Sequence, residues 1–134
     1  MYLLDTNIIS ELRRPERAGE GLRAFAAGTP RTQIHLSVVT LMEIEIGVLR
    51  AERRDPSQAA VIRAWLTDQI LPRFKGRIFP VDAPVALRCV ALHVPDPRSD
   101  RDAFIAATAL VHGLTVVTRN VADFAPTGVA LINP

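Results

Sequence analysis

Short apolar runs alternate with stretches of helical periodicity along this chain, and several of the runs lead into an acidic residue. Residues 2–4 are apolar and stop at Asp5. Residues 33–38, 77–81, 114–118 and 129–132 read as further short strands, bounded by Gly, Pro and polar residues. Between them lie helical patterns at 7–13, 17–28, 40–54, 57–73, 84–93 and 100–112, with a short turn or helix at 120–124. In the fourth pattern Val61, Ile62, Trp65, Leu66 and Ile70 recur at helical spacing. Pro15, Gly28, Pro30, Pro56, Pro84 and Gly113 fall at the expected starts and stops. Strand–helix alternation of this kind predicts a central parallel, doubly wound sheet with helices on both faces, a three-layer α/β/α fold.

The chain has 134 residues, 49% of them hydrophobic, which is enough for one core and predicts a single domain over 1–134. No repeat, linker or low-complexity segment divides it. Cys89 is the one cysteine, so neither an internal disulfide nor a cysteine zinc site is available. It lies in an apolar run and reads as core. The first residues lack the long apolar segment of a secretion signal, and no stretch is long enough to span a membrane. A cytoplasmic protein is expected. Of the 16 basic residues, 15 are Arg and one is Lys75, against a net charge of only +2. Arginine's planar fork suits phosphate, although genomic base composition enriches Arg equally well.

In an open parallel sheet, ligands bind beyond the carboxyl ends of the strands. Asp5 directly follows the first strand. Glu43 falls in the first turn of the helix after the second strand, and Asp102 in the first turn of the helix before the fourth. Asp123 follows the fourth strand. Each has an ordinary structural reading. Asp5 could cap a helix. Thr40-Leu-Met-Glu43 and Ser99-Asp-Arg-Asp102 both match the capping-box pattern, and Asp123 could serve a turn. Convergence on one sheet edge is what sets the four apart. Four gathered carboxylates repel one another, and a divalent cation relieves that repulsion. Oxygen-only ligands suit a hard ion, Mg2+ or Mn2+. Such an ion clamps phosphate oxygens and activates water, so phosphodiester hydrolysis is the expected chemistry. Thr6, Asn7, Thr118 and Asn120 could orient waters or carboxylates, or simply cap and turn. Small residues after Asp102, and Gly47 after Glu43, are expected to let these helices approach the sheet closely.

Four segments resemble the motifs of the PIN-domain nucleases, and among them the VapC/FitB-like toxins of bacterial toxin–antitoxin pairs. They are Tyr2-Leu-Leu-Asp5-Thr6-Asn7-Ile-Ile-Ser-Glu-Leu, Ser37-Val-Val-Thr40-Leu-Met-Glu43-Ile-Glu-Ile-Gly47, Asp102-Ala-Phe-Ile-Ala-Ala-Thr-Ala and Thr118-Arg119-Asn120-Val-Ala-Asp123-Phe. The resemblance implies Mg2+- or Mn2+-dependent cleavage of RNA with Asp5, Glu43, Asp102 and Asp123 at the metal, Asp5 and Asp102 foremost. It also implies a homodimer and a cognate, VapB-like antitoxin. Asp102 is preferred over Asp100 because it heads the Ile-Ala-Ala pattern. A groove between helices 7–28 and 57–73 could receive an amphipathic antitoxin helix. Arg13, Arg14 and Arg119 are candidates for phosphate contact, or else solvated surface residues.

Other classes fit less well. A haloacid-dehalogenase-type phosphatase wants a second Asp where Asn7 stands. A receiver domain wants a late Lys, and Lys75 is misplaced. A dinucleotide-binding fold wants glycines after the first strand, where Asp-Thr-Asn has none. A non-catalytic PIN-like module binding RNA or protein would be expected to have lost one or more of the four acids. His35, His93 and His112 show no catalytic pattern.

Overall fold

Leu3 lies beside His35 on one side and Val116 on the other, at the centre of a five-stranded parallel sheet. In this computed structural model, which describes residues 1–134, the strands are β1 (Tyr2–Leu4), β2 (Ile34–Ser37), β3 (Ile78–Phe79), β4 (Thr115–Val117) and β5 (Leu131–Ile132). Their order is β3-β2-β1-β4-β5, all parallel. The chain steps from β1 outward to β2 and β3, then crosses back to β4 and β5. The direction of winding therefore reverses at β1, and the crevice for a ligand opens at the carboxyl ends of β1 and β4.

The two faces of the sheet are read off adjacent residues. Leu3 packs with Val116, Phe79 and the helices α6 (Ala83–Leu92) and α7 (Asp100–His112). Leu4 packs on the other side with Leu36, Val117, side chains of α1 (Thr6–Leu12) and α2 (Glu20–Gly28), and Trp65, Leu66, Ile70 and Phe74. Neither leucine is more than 1% exposed. Each such side chain contributes about 1.5–3 kcal/mol by leaving water. Helices on both faces make the expected three layers. On α7, Ala103, Ile105, Ala106, Ala107 and Ala109 are fully buried, so the small residues after Asp102 do bring this helix close to the sheet.

Several boundaries differ from the sequence expectation, each for a local reason. The helix expected from 40 begins at Val38, as α3 (Val38–Glu52), because Ser37 caps it by accepting from the Val39 N–H at 3.0 Å. Glu43 consequently sits in the second turn, and Thr40 is interior to the helix. The helix expected from 17 starts later, at Glu20, behind a single 3-10 turn over Pro15–Arg17. The helix expected over 57–73 is α4 (Pro56–Trp65), a π-helical turn over Leu66–Ile70, and α5 (Leu71–Arg73). Pro72 explains the interruption: it has no N–H to give the preceding turn, and its ring crowds the carbonyl four residues back. Strand β3 is only two residues long, since Pro80 cannot extend the ladder. Gly47 lies exposed, with no atom within 4 Å of where a Cβ would stand, so close packing is not its role. Gly113 does meet a backbone demand, ending α7 with φ of 66°. No helix is long and apolar enough to cross a membrane.

Candidate active site

Asp5 occupies the first position beyond β1, and its N–H still bonds the Val117 carbonyl at 2.9 Å, one step past the strand. The side chain is thereby fixed at the seam with β4. Its Oδ1 accepts from the Thr6 N–H at 2.8 Å, so Asp5, and not Thr6 or Asn7, caps α1. Its Oδ2 accepts from the Thr118 hydroxyl at 2.7 Å. Asp5 is 5% exposed. That burial pushes its carboxyl pKa above the ordinary 3.8, the Thr118 and Thr6 donors pull it back, and the charges of Glu43 and Asp123 push it up again.

Glu43 reaches the same crevice from α3. Its Oε1 is 2.8 Å from the Thr6 hydroxyl, which is also 3.0 Å from the hydroxyl of fully buried Thr40. Thr6 has one hydroxyl proton. Donated to Glu43, it leaves the Thr6 oxygen to accept from Thr40, which makes a short chain, Thr40 to Thr6 to Glu43. The capping-box reading of Thr40 and Glu43 is thus wrong in this fold: the pair serves the site and Ser37 does the capping.

Asp102 lies in the first turn of α7. Its carboxyl pKa is raised by burial first, then by the charges of Asp5, Asp123 and Glu43. Ser99 makes no side-chain bond to the helix end, so this capping box is not formed either. Asp100 points elsewhere, exposed and 3.5 Å from His93 Nε2. Asp123 is carried on α8 (Val121–Phe124), in a helical turn anchored by fully buried Phe124. All four acids expected from the sequence therefore lie within electrostatic reach of one another.

They do not form a closed cage, since no three acidic, His or Cys side chains are grouped as a complete metal site. The donor set still fits a hard cation. Mg2+ ordinarily takes one or two carboxylates and keeps its remaining positions for water and phosphate. A buried carboxyl group, Asp5, and a half-buried one, Asp102, both with raised pKa values and each pushed up in part by its acidic neighbours, are what a bound cation would relieve.

The supporting residues divide. Thr6 and Thr118 bond the acids directly, as expected. Thr40 joins them unforeseen, because its burial against Thr6 is a tertiary fact. Asn120 acts through its backbone N–H, which donates to Thr118 Oγ1 at 2.9 Å. Asn7 caps nothing, and its Oδ1 is buried without a partner. Arg119 is taken up by Glu11, with contacts of 3.2 and 2.9 Å, and by the Pro134 carbonyl, so it is not poised for phosphate. Arg13 and Arg14 line a separate cleft with Trp65 and Asp68. Arg101 was not anticipated: its Nη1 lies 3.8 Å from Glu43 Oε2.

The family pattern described as PIN domain matches residues 2–126. Toxin FitB of Neisseria gonorrhoeae is 38% identical over 139 residues, covering 100% of this chain and 98% of the relative. VapC ribonuclease Y4jK of Sinorhizobium fredii is 31% identical over 141 residues, covering 100% and 97%. Among solved structures, FitAcB from Neisseria gonorrhoeae superposes with a TM-score of 0.89 at 37% identity, covering 100% of this chain and 98% of that one. FitAB bound to a DNA fragment gives 0.88 at 35%, covering 100% and 95%.

Proposed function

The chain belongs to the PIN-domain family, and on that premise we propose that it is a metal-dependent endoribonuclease, the toxin half of a type II toxin–antitoxin pair, with residues 1–134 forming one such domain. The observation that carries the reading is the buried carboxylate of Asp5 at the β1–β4 seam, within electrostatic reach of Glu43, Asp102 and Asp123. Asp5 and Asp102 are the principal ligands for Mg2+ or Mn2+, with Glu43 and Asp123 beside them. When bound, that ion polarises a phosphodiester and makes a water nucleophilic. The chain's own part is orientation. Thr118 and the Thr6 N–H each hold one oxygen of Asp5, and the Thr40–Thr6 chain holds one oxygen of Glu43. One lone pair on each of these oxygens remains for the cation.

A groove of about 460 Å³ lies between α1, α2 and the end of the α4–α5 stretch. Its floor includes Ile9, Leu12, Trp65 and Phe74, and its rim Arg23, Arg31 and Arg73. We assign it to an amphipathic helix of the antitoxin, in line with the relatives solved as toxin–antitoxin complexes. Exposed Leu87 and Val90, one turn apart on α6, support a homodimer. The enzyme acts in the cytoplasm, where its RNA substrate is.

The test is RNA cleavage by the purified chain, freed of any co-purifying partner, with Mg2+, with Mn2+ and with EDTA, beside Asp102→Asn. Metal-dependent cleavage that the variant lacks is expected. No cleavage together with no metal binding would instead favour a non-catalytic binding module.

A further inference from the structure

Of the five ion pairs in the chain, one involves a member of the acidic quartet, and it joins Glu43 to Arg101. At 3.8 Å it is a loose contact with no hydrogen bond, and the Arg101 side chain is 44% exposed. Arg119, by contrast, is held by two bonds to Glu11, and Arg63 by two to Glu45.

Neither helix electrostatics nor packing accounts for a cation at this position. Arg101 is the second residue of α7, where the positive end of the helix dipole disfavours it. Its neighbour Asp100 is turned toward His93. The guanidinium's one acidic contact is Glu43, whose charge is also felt by Asp5 and Asp102. Arginine keeps its charge at any working pH, and its planar fork matches two oxygens of a phosphodiester.

We propose, building on the ribonuclease reading, that Arg101 is a further catalytic residue that changes partners. It pairs with Glu43 while the acids are free of metal. Once Glu43 serves a divalent cation, Arg101 turns to the non-bridging oxygens of the scissile phosphate. In hydrolysis a water oxygen bonds to phosphorus as the bridging P–O bond breaks. The water gives up one proton and the departing oxygen gains one. Charge on the phosphoryl oxygens is met by the fork of Arg101. The same residue therefore weakens metal binding slightly and speeds cleavage.

Those opposite signs provide the test, with Arg101→Ala and Arg101→Lys compared to wild type. Calorimetry with Mn2+ and no RNA should show Arg101→Ala binding about two- to fivefold more tightly, the range expected on removing an exposed competing cation. Cleavage at saturating Mn2+ should fall about 100- to 1,000-fold, the scale of losing a charge-stabilising donor. Arg101→Lys, which keeps the charge and loses the fork, should bind Mn2+ as wild type does and still cleave slowly. Unchanged cleavage in both variants, beside an active wild type, overturns the proposal and leaves the ribonuclease reading standing. So does a parallel loss of metal affinity, activity and melting temperature, which would mark Arg101 as structural. A wild type that neither binds Mn2+ nor cleaves RNA defeats the ribonuclease reading itself, and this proposal with it.

Discussion

Thr118 donates its hydroxyl proton to Asp5 Oδ2 across 2.7 Å, joining residues 113 positions apart in the chain. The bond spans β1 and β4, the two strands between which the winding reverses. Thr118 is fully buried and accepts in turn from the Asn120 N–H. The central acid is therefore set by the sheet itself and not by a loop.

Thr118→Val keeps the shape and removes that donor. A hydrogen bond to a charged group contributes about 1.5–3 kcal/mol, so unfolding by denaturant should show a loss of that order. Affinity for Mn2+ should fall as well, because Asp5 becomes harder to ionise. A variant with unchanged stability and unchanged affinity would mean that the bond orients nothing.

Asp102→Asn removes one of the mutually repelling charges. Cleavage should fall at least about a hundredfold, since the proposed metal site loses a ligand. Without metal, the variant should melt about 2–6 °C higher than wild type, the scale of relieving roughly 1 kcal/mol. A lower melting temperature would show that the Asp102 carboxylate stabilises the fold by a contact of its own.

The two raised carboxyl groups set a pH dependence. In the folded chain Asp5 and Asp102 hold their protons more tightly than in the unfolded chain. Their contribution to stability is thus complete below the ordinary carboxylate value and is lost as pH rises through the raised values. Metal-free wild type should fall in stability over that window relative to Asp102→Asn, and added Mg2+ should narrow the gap at neutral pH. Parallel stability curves for the two proteins from acid to neutral pH would contradict this.

Gly47→Ala is expected to stabilise the chain. Gly47 lies inside α3 with open space where the Cβ would go. Alanine in a helix interior is favoured over glycine by about 0.8–1 kcal/mol. Thermal unfolding checks this directly. A lower melting temperature would instead place another part of an assembly against this stretch of α3.

The sheet and its acids were legible because strand exits are local features: an apolar run, then an acid. Asp5, Glu43, Asp102 and Asp123 could be named on that basis together with the motif resemblance. What could not be read was who bonds whom across the fold. Thr40 and Glu43 have the spacing of a capping box, yet Ser37, earlier in the chain, claims the helix end. Arg119 looks free beside a motif, and its partner Glu11 lies 108 residues away. The π-helical turn over Leu66–Ile70 left no mark in the apolar spacing, although Pro72 could have signalled it.

Helix capping in this chain falls to Ser37, Asp55 and Asp82, and of the four clustered acids only Asp5 shares that duty. Glu43, Asp102 and Asp123 thus cap no helix, and the chemistry proposed for them is separable from the architecture. On the proposed function, a single nucleotide change at any of the three would disarm the enzyme and leave a folded protein still able to engage an antitoxin. Under that reading, disarmament by point mutation is a short evolutionary step, and loss of the whole gene is not required.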